Sequence, residues 1–337
     1  MQICYLLVFP DNVKSMEIPT MPIIGLKDAP YFQPVDINVL AIGQQTVHVE
    51  GVAVTAIRQR LDERVQVLEC HFKLPDTLSQ NAIQHRQRIE RGLSKMFLSE
   101  KYRLSGLYEE YIVLLVSEIE GTPDQFIEQN AEGLARFMRS QREIFDQSEI
   151  DEILVSRVRY SRDELTVVDW DGAAIISKVG DFQSDIELLK IGNYQLLRYR
   201  MLDQSIEASL RQISDQFKSK AKGFFRPGLG RSSLRRIVSL RLELMLDFEH
   251  TDQNLLLIGD WYTAKLYYAI QEELYLANWK QAVQAKLDNL ENISTTIQEH
   301  FALSWRGLME QAELFGWIVL LIGYFVLFFM EEIKIGH

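Results

Sequence analysis

The feature that most constrains this chain is an uninterrupted apolar run near its C-terminus. Leu314–Met330 contains 17 residues and no charged or strongly polar side chain. As an α-helix the run would extend about 25 Å, near the lower limit for crossing a hydrocarbon core of about 30 Å. A buried helix of a globular bundle normally keeps a polar stripe, whereas this run is apolar around its whole circumference. The pattern therefore predicts a transmembrane anchor at residues 311–332.

The position of this run predicts how the chain meets the membrane. Seven residues follow Met330, which leaves no room for a second span. The apolar stretch Ile3–Phe9 is too short for a signal peptide and is typical of a β-strand. We therefore expect a single-pass protein in the lipid bilayer, with its N-terminal domain in the cytoplasm. Since no transit segment precedes Ile3, a bacterial inner membrane is the expected location.

Two glycines lie within the apolar run. Gly316 and Gly323 lie seven residues apart and so share one face of a helix. Small residues on one face of a membrane helix allow a second helix to approach closely. These glycines predict helix–helix packing and favour a homo-oligomer.

A heptad pattern precedes the apolar run without a helix breaker. Apolar residues recur at alternating steps of four and three, with Ser294 and Ser304 in the two remaining positions. Such a period favours a left-handed coiled coil, whose partner is either another helix of the chain, at 185–219 or 252–277, or a second copy. The predicted seam consists of Val283, Leu287, Leu290, Ile297, Phe301 and Leu308.

The rest of the chain predicts an α+β domain followed by helices. Short β-branched runs alternate with two amphipathic helical segments up to Gly180, and long helical patterns follow it. The expected fold class is an N-terminal α+β sheet domain, a long-helix bundle or coiled-coil stalk, and one C-terminal transmembrane helix. The predicted domains are residues 1–180, 181–310 with a basic loop at 218–241, and 311–332.

The basic loop stands out because the whole chain has a formal net charge of −11. It can contact anionic lipid headgroups, bind a phosphate-rich partner such as RNA, or remain a solvated loop between helices. The acidic balance of the rest argues against nucleic acid as a partner. The candidate contact residues for lipid or phosphate are Lys218, Lys220, Lys222, Arg226, Arg231, Arg235 and Arg236.

No catalytic or metal-binding motif is visible in the sequence. The two cysteines and six histidines form no CxxC, HxH or HExxH spacing. His71 lies within a strand pattern and is interpreted as a structural histidine. The acidic pair Asp169 and Asp171, and the group at 247–252, fit a turn and a helix cap better than acid–base or cation-binding work. We therefore expect no enzyme, no cofactor and no metal site.

The C-terminal region resembles the required-for-meiotic-nuclear-division family. Trp279, Val283, Lys286–Asp288 and Leu290 carry the resemblance, together with Glu313 and an apolar run closed by Glu331. The stretch NYQLLRYRMLDQSIE at 193–207 is similar to the long helix of such proteins. The resemblance implies a membrane-anchored, self-associating scaffold. The overall plan is also similar to CorA-type magnesium channels, but the chain lacks their Gly-Met-Asn signature and second span.

These patterns together predict an oligomeric scaffold or binding module, anchored at its C-terminus and without catalysis. The alternative is a channel-like homo-oligomer that conducts ions through copies of the terminal helix. A weaker third option is a hydrolase that uses the acidic groups.

Overall fold

The chain forms two compact units. The computed structural model describes residues 1–11, 39–62, 64–141, 145–220, 239, 242, 245, 246, 248, 249 and 261–335, with side chains except at 212–220, 294–310 and 325–335. One unit comprises Met1–Ser205 and Asp247–Val283, and the other comprises Ile206–Leu246 and Gln284–His337. The domain boundaries expected at residues 180 and 310 stay predictions.

An eight-stranded mixed sheet forms the centre of the first unit. Its strand order is β2-β3-β4-β1-β5-β8-β7-β6. Within the described part of the chain, β5 and β8 pair in parallel and every other neighbouring pair is antiparallel. The strands are β1 (Gln2–Pro10), β2 (Val39–Val49), β3 (Val52–Leu61), β4 (Val65–Phe72), β5 (Glu109–Val116), β6 (Arg157–Ser161), β7 (Glu164–Val168) and β8 (Gly172–Ser177).

Several helices begin at residues with side chains suited to capping. The Ser79 side chain accepts a hydrogen bond from the Ala82 amide, and Thr122 forms a reciprocal capping box with Gln125 ahead of Pro123. The helices are α1 (Gln80–Phe97), α2 (Glu100–Ser105), α3 (Pro123–Gln129), α4 (Ala131–Arg139), α5 (Gln147–Ile153), α6 (Gln183–Lys220), α7 (Trp261–Glu273) and α8 (Leu276–Ile335).

Helices cover both faces of the sheet. On one face, Tyr5 and Leu7 of β1 belong to an apolar core that also contains Ile89 of α1 and Phe137 of α4. On the other face, Thr166 of β7 donates to a carboxylate of α6, at a distance of 2.5 Å. Successive side chains of a strand point to opposite faces, so each central strand supplies residues to both layers.

The local sequence patterns predicted several of these elements correctly. Strands at Ile3–Phe9 and Val65–Leu74, and a helix beginning after Ser79, are confirmed. Within the β-branched run at 47–56, Glu50 and Gly51 adopt positive φ and form the turn between β2 and β3. The turn expected at 171–172 is confirmed, since Asp169 donates its amide hydrogen to the Gly172 carbonyl between β7 and β8; the strand β8, which begins at residue 172, was not predicted.

The membrane predictions are contradicted. Among the residues with described side chains, no helix is both long enough and apolar enough to cross a membrane. The helix α8 is 60 residues long, but its described apolar stretch, Leu314–Tyr324, extends only about 16 Å; residues 325–330 lie outside the described side chains. The predictions of a transmembrane helix, a single-pass anchor and an inner-membrane location are therefore wrong. The channel alternative depended on the same span.

Within the second unit, the two long helices are in contact. Lys286 of α8 lies 2.8 Å from a carboxylate oxygen of Glu207 in α6, which is one of the intramolecular pairings that the heptad pattern allowed. Of the predicted seam, Leu287 and Leu290 in this unit and Val283 at the end of the first unit are buried in the chain. The remaining seam residues Ile297, Phe301 and Leu308 lie outside the described side chains, so the full coiled-coil seam stays a prediction.

Candidate functional site

A group of polar side chains lies on the α6 side of the sheet. Strands β1 and β4 are antiparallel neighbours at the centre of the sheet, with Cys4 opposite His71 and Leu6 opposite Glu69. Since residues two apart on a strand share a face, Cys4, Glu69 and His71 point to the same side. The sheet register thus brings together residues that are about 65 positions apart in the chain.

A lysine from α6 connects this group to the helix layer. The Lys190 ammonium donates to Glu69 Oε2 at 2.8 Å, to Glu187 Oε1 at 2.6 Å and to Gln59 Oε1 at 2.8 Å. These three acceptors match the three protons of an ammonium group. We call the group the polar cluster; its members are Cys4, Gln59, Glu69, His71, Glu187 and Lys190.

The ion pair between Lys190 and Glu69 in the polar cluster stays charged although both side chains are buried. Lys190 and Glu69 are only 2% and 1% exposed. Burial alone would lower the pKa of Lys190, but the carboxylates of Glu187 and Glu69 outweigh it and raise that pKa. Burial acts to raise the pKa of Glu69, whereas the bonds from His71 and Lys190 lower it to about 2. Glu69 and Lys190 therefore form a permanent ion pair at neutral pH.

The two cysteines occupy opposite faces of the sheet. Cys4 belongs to the polar cluster, whereas Cys70, between Glu69 and His71 in sequence, lies in the apolar core on the other side. Burial, followed by the charge of Glu69, raises the pKa of the Cys4 thiol well above its usual value. The same two causes raise the pKa of Cys70 to about 12. Both thiols are therefore protonated at neutral pH in the metal-free protein.

Three members of the polar cluster have the geometry of a metal-binding group. The Cys4 sulfur, a Glu69 carboxylate oxygen and a His71 ring nitrogen all lie within 4.8 Å of one another. His71 Nε2 is 2.6 Å from Glu69 Oε1. Thiolate, imidazole and carboxylate are the three ligand types that zinc accepts in proteins.

A second buried network joins β7, α6 and α7. The Tyr262 hydroxyl donates to Asp185 Oδ2 at 2.7 Å, and Thr166 donates to the same oxygen at 2.5 Å. Burial, followed by the charge of Asp185, raises the pKa of Tyr262. This network fastens the two helices to the sheet.

The acidic pair at the end of β7 is engaged by an arginine. Arg139 reaches both carboxylate oxygens of Asp169, at 2.8 and 2.7 Å. Burial raises the pKa of Asp169 and of Asp171, and the charge of Arg139 opposes this. Arg139 donates one hydrogen bond to Oδ1 and is in ion-pair contact with Oδ2, so the geometry is that of a structural ion pair. The other acidic group, at 247–252, lies largely outside the described residues.

The structure describes only some of the residues that were predicted from sequence. The side chains of all seven candidate contact residues of the basic loop lie outside the described set, so lipid or phosphate contact stays a prediction. Gly316 and Gly323 lie on α8 with open space beside them, since an added Cβ would meet no atom within 4 Å. No residue of the polar cluster was predicted as functional, and His71 was interpreted as structural.

Comparison with known proteins relates the sheet domain to an uncharacterised archaeal protein. The family model "Uncharacterized protein MJ0711, N-terminal domain" matches residues 25–183. The chain is similar to Uncharacterized protein MJ0711 of Methanocaldococcus jannaschii, with 27% identity over 223 residues, which cover 66% of each chain. No solved structure matches significantly.

These findings contradict the resemblance to the required-for-meiotic-nuclear-division family. The matched region, 25–183, covers seven of the eight strands of the sheet, whereas the resemblance depended on the C-terminal 60 to 80 residues. Those residues carry a generic pattern of heptad, aromatic and aliphatic positions, which many long helices share.

Proposed function

We propose that this chain is a non-catalytic scaffold or binding protein that works as a homo-oligomer, with its copies joined through the C-terminal part of α8. The observation that carries the proposal is the exposure of this helix. Every described residue from Gln311 to Tyr324 is exposed. Trp317, Leu320 and Tyr324 are 68%, 69% and 70% exposed.

Exposed apolar area of this kind is costly in water. Burial of a large apolar side chain contributes roughly 1.5–3 kcal/mol, and nine such side chains lie between Leu314 and Tyr324. A contiguous apolar surface of this size is typical of an interaction site. Because the apolar side chains surround the helix, a two-helix pair would cover only one stripe. An assembly of three or more copies would cover more.

The occupant proposed for this surface is a second copy of the same helix. The heptad positions continue towards it without a helix breaker, and Gly316 and Gly323 leave open space for a neighbouring backbone. The long helices would then hold the sheet domains around a common centre. A role as a scaffold or binding protein also accords with the ion pair between Asp169 and Arg139, whose guanidinium contacts both carboxylate oxygens of Asp169.

The test is the native mass of the full chain, measured by size-exclusion chromatography with light scattering. The wild type should form an oligomer, and Leu320→Glu/Leu321→Glu should shift it to a monomer because it places charges in the apolar contact. Leu104→Glu is the matched control, since Leu104 is 80% exposed on α2; it should leave the mass unchanged. A monomeric wild type, or a double variant that keeps the wild-type mass, would contradict the proposal.

A further inference from the structure

The polar cluster combines three ligand types on two paired strands. Cys4 and His71 are direct partners in the ladder, and Glu69 follows two positions away on the same face. Side chains held on neighbouring central strands are fixed by the sheet, which is the support that a metal site needs. All three ligand atoms lie within 4.8 Å of one another, so one ion between them requires only side-chain rotation.

The required movement is small. In a tetrahedral zinc site with bonds of about 2.0–2.1 Å to nitrogen and oxygen, those two ligand atoms lie about 3.3 Å apart. His71 Nε2 and Glu69 Oε1 are 2.6 Å apart, so the hydrogen bond between them opens by less than about 1 Å on binding. The imidazole proton leaves Nε2 and the Cys4 thiol loses its proton, as zinc ligation requires.

Lys190 orients the carboxylate for this role. Its ammonium binds Glu69 Oε2, so Oε1 is the oxygen that faces His71. Glu187 and Gln59 hold the ammonium in turn. A hydrogen-bonded partner on the second oxygen is the usual support for a ligating carboxylate. Glu69, Glu187 and Lys190 together carry a charge of −1, which favours a cation.

We propose that Cys4, Glu69 and His71 bind one zinc ion. Three protein ligands leave the fourth position of a tetrahedral ion for water or a further ligand. The ion reaches the site past His71, whose side chain is 17% exposed, while that of Glu69 is 2% exposed. This inference is independent of the proposed self-association.

Cobalt(II) titration of the chelator-treated full chain tests the proposal. Thiolate ligation to cobalt gives a charge-transfer absorption in the near ultraviolet, and zinc should abolish it by displacement. The expected stoichiometry is one cobalt per chain. Cys4→Ala should remove the band and weaken binding by at least about tenfold. Cys70→Ser is the matched control, because Cys70 is equally buried but lies on the other face; it should retain the band.

A second measurement keeps the proposal testable if Cys4→Ala does not fold. Zinc should raise the melting temperature of the wild type, because binding to the folded state alone stabilises it. His71→Asn, at the accessible edge, should abolish that rise. His85→Asn is its control, since His85 is a surface residue whose ring nitrogen lies 3.1 Å from the Glu50 carbonyl. Absence of the band in the wild type, its loss in Cys70→Ser, or an undiminished zinc effect in His71→Asn would overturn the proposal.

Discussion

Globular proteins usually bury apolar side chains and expose charged ones. The sheet domain buries charged side chains, and the C-terminal part of α8 exposes apolar ones. The sheet domain buries an ammonium and two carboxylates between a sheet and a helix, where charges are costly unless they are paired. The described end of α8 instead exposes large apolar side chains to solvent. The buried charges are satisfied within the chain, whereas the apolar surface is the one proposed above to bind a second copy.

The difference shows which kind of change each region should tolerate. In the sheet domain, the loss of one charged partner leaves another charge buried, so single substitutions in the polar cluster should lower the free energy of unfolding. On α8, a charged substitution should affect assembly and leave the sheet domain folded. Stability and native mass therefore report on the two regions separately.

The largest expected effect is the removal of the Lys190 charge. Lys190→Met should lower the free energy of unfolding by about 3–5 kcal/mol, because Glu69 and Glu187 lose their shared cation. Lys178→Met is the control, since Lys178 and Asp163 form a pair with side chains 38% and 50% exposed; it should cost under about 1 kcal/mol. Denaturant unfolding measures both, and equal small effects would contradict the structural role of the polar cluster.

The dependence of folding stability on pH should distinguish the carboxylates of Glu69 and Glu109. Two donors lower the pKa of Glu69 to about 2, whereas burial raises the pKa of Glu109 to about 7 against the single partner Arg200. Below the unfolded value of about 4.3, Glu109 is protonated in both states and its contribution is fully present; that stability is lost as pH rises to about 7. The loss should be about 4 kcal/mol, from a difference of about 2.7 between the two pKa values.

The readout for Glu109 is the difference between the wild type and Glu109→Gln in denaturant unfolding at pH 4 and pH 8. The variant cannot titrate at this position, so its stability should fall less over this range. Identical pH profiles for the two proteins would show that Glu109 titrates normally in the folded state.

One glycine-to-alanine substitution in each region tests how closely the helices pack there. A Cβ at Gly192 of α6 would collide with Ile270 and lie 3.2 Å from Leu274 Cδ1. Gly192→Ala should therefore cost about 1–3 kcal/mol through overpacking. Gly316→Ala meets no atom of its own chain within 4 Å, so its effect should fall on the contact between copies and not on the stability of the sheet domain. Thermal unfolding of both variants checks the contrast; a stable Gly192→Ala would mean that α6 and α7 are less closely packed.

The smallest expected effect concerns the hydroxyl of Tyr262. Tyr262→Phe removes one donor from Asp185 but leaves Thr166 bonded to the same carboxylate. The expected cost is about 1 kcal/mol, the net value of a typical hydrogen bond. Tyr268→Phe is the control because Tyr268 is 63% exposed. A cost above about 3 kcal/mol would show that Thr166 cannot hold the carboxylate alone.

The elements that could be predicted from the sequence depend on local signals. Alternation in β4, the N-cap at Ser79 and the capping box at Thr122 are each contained within a few residues. The strand β8 was missed although it forms an antiparallel hairpin with β7, because the run GAAIIS shows no alternation of polar and apolar residues; its other pairing, in parallel with β5, joins segments about 60 residues apart.

The polar cluster could be predicted only in part for the same reason. Glu69 and His71 stand two apart in a strand pattern, so their shared face was available from the sequence. The register that places Cys4 opposite His71, and the helix turn that supplies Lys190, depend on tertiary structure. The apolar run of α8 was visible from composition alone, but the sequence did not determine what covers it.

Native mass spectrometry of the purified full chain tests the central claim most directly, because one spectrum reports both the number of copies and any bound metal. The account predicts an assembly of three or more chains that each carry one zinc ion. A single chain without metal, in a sample supplied with zinc, would contradict both the self-association of α8 and the metal site at Cys4, Glu69 and His71.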